Sequence, residues 1–317
     1  MSTDKLQMSA EVKDALASRR PLVALESTII THGMPYPDNA ETARAVEAAV
    51  RAGGAVPATI AIIDGALCVG LEADQLEALA SAKGVAKASR RDMALVVSQG
   101  RSAGTTVATT MLIAARAGIP IFATGGIGGV HRGAELTFDV SADLIELSRT
   151  PVTVVCAGAK SILDLPKTLE VLETNGVPVI GYGTDEFPAF FSRSSGLRVD
   201  ARLDTPGAVA EAIRTHRSLG MTGGLLVCNP LPTDEEVPAA EMTPRITAAL
   251  AEAAAQGVTG KDVTPFLLAR LVELTGGRSL KANRALIKYN ARLAAEIAVA
   301  LNAEQSSGGL GFLPRRL

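Results

Sequence analysis

The chain has 317 residues, 47% of them hydrophobic, and its 31 Lys and Arg against 33 Asp and Glu give a net charge of -2. So balanced a charge leaves no electrostatic footprint for nucleic acid or an anionic membrane, and 3% aromatic residues with no Trp leave no platform for stacking single-stranded bases. The length is enough to bury a large core, and the ligand these exclusions point to is a small molecule.

Within the first 20 residues, apolar positions at helical spacing over 8–19 predict an N-terminal helix, and the run 21–25 then turns extended and ends at Glu26. Glu26 reads either as a surface carboxylate at a strand end or, behind a buried strand and before the Gly/Pro-rich loop 27–37, as a general acid. A helix over 39–51 stops at Gly53-Gly54, the run 59–63 makes the next strand, and Asp64-Gly65 turns it. A short helix over 71–80 leads to the polar cluster Lys87-Ala-Ser-Arg90-Arg91-Asp92, which is either a solvated face or a set of phosphate partners. Thr105-Thr106-Val107 opens a helix that runs through Ala115, and 119–124 is a further buried strand.

That strand enters Gly125-Gly126-Ile127-Gly128-Gly129-Val130-His131-Arg132-Gly133, the most glycine-dense part of the chain. Backbone amides without Cβ atoms can approach an anion closely, although a purely structural turn is the competing reading. The frame is not a dinucleotide fingerprint, because His131 stands where its last Gly belongs, and no Gly-Lys-Ser/Thr closes a Walker loop. Asp139-Val-Ser141-Ala142-Asp143 then precedes an amphipathic helix. Ser141 or Asp139 can cap that helix, or one carboxylate can hold a mostly hydrated divalent cation.

Residues 152–156 are a strand of the kind buried on both faces, followed by Ala157-Gly158-Ala159-Lys160 and by Ser161 and Asp164 in the S-x-x-D form of a capping box. A lysine at the carboxyl end of a parallel strand sits where α/β sheets place their chemistry, yet most lysines are solvated. As a nucleophile it must be neutral, which apolar surroundings favour. A helix over 167–174 stops at Asn175-Gly176, a strand and loop fill 177–185, a helix 206–216, and a strand 223–228. The acidic, Pro-rich stretch 232–244 is a lid or a connection. Two helices close the chain, the last over 280–301 with Asn283, Ile287 and Asn290 within helical reach of one another, and a loose tail follows at 306–317. The expectation is a single α/β domain.

Cys68, Cys156 and Cys228 lie far apart without a C-x-x-C pair and read as buried small hydrophobes, not zinc ligands or disulfide partners. The polar start of the chain and the lack of any run near ~20 apolar residues predict a soluble cytoplasmic protein.

Glu26 in Val-Ala-Leu-Glu-Ser, Pro-Tyr-Pro at 35–37, the loop 124–133, the block 139–143 and Ala157-Gly-Ala-Lys160-Ser-Ile-Leu-Asp-Leu-Pro166 together resemble the pseudouridine-5′-phosphate glycosidases, also called indigoidine-synthase A-like proteins. The resemblance runs from about 21 to 301. It implies a three-layer α/β/α sandwich around a largely parallel sheet, a homotrimer, and interconversion of pseudouridine 5′-phosphate and water with uracil and ribose 5-phosphate. By the same resemblance Glu26 is the proton donor, Lys160 the nucleophile forming a Schiff base, and Asp139 the ligand of Mn²⁺. Lys87, Val107, His131, Ser141, Ala142 and Asp143 would surround the sugar phosphate and Asn283 the base. One departure is Lys288-Tyr289-Asn290, where relatives often read Lys-Asn-Asn, and it bears on the base side. Two other functions share some of these residues: a Schiff-base lyase acting on another sugar phosphate, and a non-catalytic sugar-phosphate sensor that would tolerate loss of Lys160.

Overall fold

Short β-branched runs and stretches of helical spacing alternate along the chain, and the alternation folds as one sheet with helices on its faces. The computed structural model describes residues 5–303. The expected loose tail at 306–317 lies outside the described residues. In order come β1 (Leu6–Met8), α1 (Ala10–Ala17), β2 (Leu22–Leu25), a π-helix (Ile29–Gly33), α2 (Asp38–Ala52), β3 (Val56–Ile63), β4 (Ala66–Val69) and α3 (Ala73–Ser81). Next are β5 (Ala86–Ala88), α4 (Met93–Ser98), β6 (Ala103–Thr105), α5 (Val107–Arg116), β7 (Ile121–Ala123), α6 (Ala134–Thr137), α7 (Ala142–Arg149) and β8 (Thr153–Cys156). The rest is α8 (Leu165–Thr174), β9 (Val179–Tyr182), β10 (Ala201–Leu203), α9 (Pro206–Ser218), β11 (Leu226–Cys228), α10 (Ala239–Ala255), α11 (Val263–Leu274) and α12 (Arg278–Ala303).

The strands lie in the order β1-β4-β3-β2-β7-β8-β11-β9-β10, with β6 pairing to β3 and β5 to β6. All pairs are parallel except β3 with β4 and β3 with β6. Every residue of β2, β7, β8 and β11 is buried. Since successive side chains point to opposite faces, those strands must be covered on both sides, which makes the three layers. Helix α12 crosses β2, β7 and β8 and packs on α2 and α9, while α5 lies on β2, β3, β4 and β7 beside α7.

Chain order reverses direction between two neighbours. From β2 the chain goes to β3 on one side, and from β7 it goes to β8 on the other. Such a switch point opens a crevice at the carboxyl ends of the strands. Register makes those ends level: Leu25 pairs with Ala123, and Ala123 with Val155.

Several expectations shift. The N-terminal helix is shorter than 8–19 because Leu6–Met8 is instead a strand against β4. Ile29–Gly33, expected as loop, is a π-helix. The Ser161–Asp164 capping box does not form: α8 starts at Leu165 with Asp164 itself as cap, accepting from the Lys167 amide at 3.1 Å, and Ser161 Oγ is buried without a hydrogen-bond partner. Half of the expected loop 232–244 belongs to α10, which contains Pro244. There the buried positions Met242, Ile246, Ala249 and Ala253 supply a helical stripe whose packing outweighs one proline. Three helices, not two, therefore close the described chain. Cys68, Cys156 and Cys228 are all buried thiols.

Candidate active site

At the switch point the residues just past β2 and β7 stand side by side. Glu26 follows β2, Thr124 follows β7, and the Thr124 hydroxyl donates to Glu26 Oε1. Burial pushes the Glu26 pKa above the ordinary carboxylate value; the Lys160 charge and the Thr124 hydrogen bond pull the other way, and Asp143 adds to the rise. Such a carboxyl keeps its proton to higher pH than a surface glutamate does, as a general acid needs.

Lys160 is carried to the same place by β8 and the turn after it. The Lys160 amide donates to the Ile127 carbonyl at 3.1 Å, and its Nζ donates to the Gly126 carbonyl at 3.0 Å. The turn requires glycine: Gly158 has φ +81°, and a Cβ there would lie 2.1 Å from the Pro188 carbonyl oxygen. The hydrogen bond to the Gly126 carbonyl holds Nζ at the mouth of this turn, inside the cavity.

The glycine loop is shaped by Asp143. This carboxylate is 6% exposed and accepts from the Gly128 amide at 2.8 Å and from the Ala108 amide, in the first turn of α5, at 3.0 Å. A Cβ on Gly128 would meet Ser141 Oγ at 2.3 Å and Asp143 Oδ2 at 2.8 Å, so the close approach depends on glycine. Ser141 caps α7. Asp139 does not cap it. The Asp139 carboxylate is exposed at the cavity edge, 3.9 Å from His131 Nδ1. Burial lowers the His131 pKa, against the pull of Asp139 and with help from Lys160 and Lys87.

These groups wall a cavity of about 720 Å³. All ten residues expected from the sequence line it: Glu26, Lys87, Val107, His131, Asp139, Ser141, Ala142, Asp143, Lys160 and Asn283. The polar cluster that starts in β5 also contributes to the wall, with Lys87, Ser89, Arg90 and Arg91 lining it, and the fully buried Glu146 of α7 holds the Arg90 guanidinium. The outer wall is not 232–244, the stretch considered as a lid, but Gly260, Thr264, Pro265 and Leu268 around the start of α11. Tyr289 is 46% exposed on the outside of α12, while Asn283 reaches the cavity from the inner face of the same helix. The departure at Tyr289 thus does not line the cavity that Asn283 reaches.

Among the lining residues that the sequence does not single out are Thr124, His32 and Phe190. Thr124 looks like the last residue of a buried strand. His32 sits in the π-helix, its Nδ1 2.6 Å from Thr31 Oγ1, and burial lowers its pKa. Inserted helical turns of this kind gather at functional sites, but nothing in the local residue types announces one. Phe190 packs edge-to-face on Phe191, with centroids 4.7 Å apart, and the concentration of Phe at 187–191 was its only signal.

Among the described residues no group of three or more His, Cys, Asp or Glu is placed to hold a metal ion, and no helix is long and apolar enough to cross a membrane. A hydrated hard cation that takes one protein carboxylate and shares substrate phosphate oxygens needs no such cluster, and Asp139 fits that lesser demand.

The family model described as "Indigoidine synthase A like protein" matches residues 11–300. A pseudouridine-5′-phosphate glycosidase of Solibacter usitatus is 62% identical over 296 residues, covering 93% of this chain and 99% of the relative. One of Paracoccus denitrificans is 62% identical over 298 residues, covering 93% and 98%. The crystal structure of a prealnumycin C-glycosynthase in complex with ribulose 5-phosphate superposes with a TM-score of 0.89 at 44% identity, covering 97% of this chain and 100% of that one. A match over nearly the whole chain, in sequence and in fold, means that this chain belongs to the indigoidine synthase A like family.

Proposed function

We propose that this protein is a pseudouridine-5′-phosphate glycosidase, which reversibly cleaves the carbon-carbon glycosidic bond to give uracil and ribose 5-phosphate. The observation that carries the reading is the pairing of Glu26, with its raised pKa, and Lys160 on nearby strand ends of one cavity, in a chain 62% identical to proteins of that name. Release of uracil from pseudouridine 5′-phosphate by the purified protein tests it. Cleavage of some other sugar phosphate instead, or binding without turnover, would replace it by a different Schiff-base lyase or by a sensor.

The chemistry follows from the bond. Carbon is a poor leaving atom, so the sugar carbon must receive electrons while the uracil carbon receives a proton. As the C1′–O4′ bond breaks with electron release from the uracil ring, the ring oxygen takes a proton from Glu26, and the Lys160 lone pair forms a C1′–Nζ bond. Nζ then gives its surplus proton to the Glu26 carboxylate, which passes it to uracil C5, and the nitrogen lone pair makes C1′=Nζ as the C1′–C5 bond breaks. Water adds to the imine and Nζ leaves as amine, which yields ribose 5-phosphate. Thr124 orients the acid and Gly126 the nucleophile.

A phosphate at the Lys87 end is supported by Lys87 itself, the Arg90 guanidinium, the Ser141 hydroxyl and the first turn of α5 at Val107. Unphosphorylated pseudouridine forgoes at least two charge-assisted hydrogen bonds of about 1.5–3 kcal/mol each, so kcat/KM should fall roughly 10²–10⁴-fold. Because remote binding energy also holds the sugar carbon at Lys160, part of the loss should appear in kcat. Equal kinetic constants for nucleoside and nucleotide would remove the phosphate from this end.

Asp139, joined by His131 nearby, would hold a divalent cation, best Mn²⁺, with water and phosphate completing its shell. The cation would neutralise phosphate charge and fix the sugar's position. Chelation should abolish most turnover, Mn²⁺ should restore it and Mg²⁺ restore it in part; Asp139→Ala should weaken Mn²⁺ binding measured by calorimetry. Full turnover after exhaustive chelation would contradict this. We also assign the protein a homotrimeric assembly; a monomeric mass in sedimentation equilibrium would overturn it.

A further inference from the structure

Beneath the cavity, α12 sends one polar side chain into the sheet. Asn290 is 0% exposed, and its Nδ2 donates to the Thr124 carbonyl at 2.8 Å and to the Gly125 carbonyl at 3.3 Å. Its Oδ1 accepts from Asn229 Nδ2 at 3.1 Å. Carbonyls only accept, so the amide orientation is dictated by its surroundings. A buried amide with both hydrogens and its oxygen engaged is costly to replace, because an apolar side chain would strip hydrogen bonds from buried carbonyls.

What these bonds join is more telling than how many there are. The Thr124 and Gly125 carbonyls belong to the turn whose Thr124 hydroxyl binds Glu26 and whose next carbonyl, Gly126, binds Lys160 Nζ. Gly125 also accepts from the Ala157 amide at 2.9 Å, three residues before the lysine. Asn229, just past β11, donates its backbone amide to the Cys156 carbonyl, at the end of the lysine strand, at 2.8 Å. The ends of β7, β8 and β11 are thereby tied to one side chain that reaches neither reacting group itself.

We propose that Asn290 is a positioning residue that sets the Thr124–Gly126 turn, and through it the placement of Glu26 relative to Lys160. The proposal rests on the function assigned above. An amide is the side chain that fits, since it offers two donors to consecutive carbonyls and an acceptor behind. The substitution Asn290→Asp would turn oxygen against two carbonyl oxygens, and Asn290→Ala would leave the turn free to slide. A displacement of about 1 Å at a reacting pair costs roughly 10²-fold in rate.

The test compares the parent with Asn290→Asp and Asn290→Ala, and adds Asn229→Ala, which keeps both Asn290 donors and frees only its oxygen. Folding is followed by circular dichroism. The expected result is that folded Asn290 variants lose about 10²-fold in kcat for uracil release with KM changed little, and that Asn229→Ala loses less. A second readout needs no turnover: ¹³C NMR titration of the Glu26 carboxyl in the ligand-free protein. With Lys160, Asp143 and Lys87 as its charged neighbours throughout, loss of the Thr124 hydrogen bond should move that titration to higher pH in the Asn290 variants. Turnover within twofold of the parent in a folded Asn290 variant, or a Glu26 titration unchanged, would overturn the proposal. So would a rise in KM alone. If neither Asn290 variant folds, an unshifted Glu26 titration and parental kcat in Asn229→Ala would do the same. A parent that releases no uracil would instead refute the assigned substrate, and the Glu26 titration would still decide the role of Asn290.

Discussion

Lys160→Ala should release uracil from pseudouridine 5′-phosphate about 10⁴-fold more slowly than the parent, the scale on which enzymes suffer when a covalent nucleophile is removed. The expectation comes from the carbon-carbon bond, which breaks only if the sugar carbon can rid itself of the base by forming a double bond to nitrogen. The other lysine on the cavity wall, Lys87, is carried by β5, which pairs with β6 and not with the central strands that bring Lys160 beside Glu26. Noncovalent binding should survive, since the groups proposed for phosphate are untouched, so calorimetry should still detect ribose 5-phosphate binding to the variant, weaker by whatever the imine adds in the parent. A variant that kept a tenth of parental kcat would mean that water or another side chain does the work.

Glu26→Gln should cost about 10²–10⁴-fold in kcat, the range for losing a general acid, with Lys160 still able to form its adduct. The same change should stabilise the fold near pH 7.5. Burial holds the folded-state pKa of Glu26 above its unfolded value, so the stability associated with its proton is complete below the unfolded pKa and is lost as pH rises through the folded one. Glutamine never ionises and escapes that loss. Thermal unfolding at pH 7.5 should therefore give Glu26→Gln the higher Tm, with the difference shrinking as pH approaches 4. A lower Tm at pH 7.5 would show that the ionised carboxylate is well accommodated, contrary to its surroundings.

The parts of this account legible in the sequence are those that local residue types decide. Thr153–Cys156 reads as a strand because it is β-branched and apolar, and Gly158 marks a turn that only glycine can take. Ser141 announces its cap. The short strands β1, β4, β5 and β6 carry no comparable signal, because each is held by pairing with a distant segment, as Leu6 is by Leu67. Ser161 and Asp164 match a cap pattern, yet the turn that presents Lys160 runs on through Leu163 and moves the helix start to Leu165. The cavity-lining set was legible through long family blocks. What escaped was the tier behind it: Thr124 on Glu26, Asp143 across Gly128 and Ala108, and Asn290 under the Thr124 and Gly125 carbonyls. Their meaning lies in which strand ends the fold makes adjacent, and a linear pattern does not carry that.

The central claim is that Lys160 bonds covalently to the sugar. Incubating the protein with ribose 5-phosphate presents the open-chain aldehyde to the amine, and borohydride then reduces the imine to a stable secondary amine. Peptide mass spectrometry should find the reduced sugar phosphate on Lys160 and no such adduct in Lys160→Ala. An adduct on Lys87 instead, or none on a protein that turns over pseudouridine 5′-phosphate under the same conditions, would contradict it.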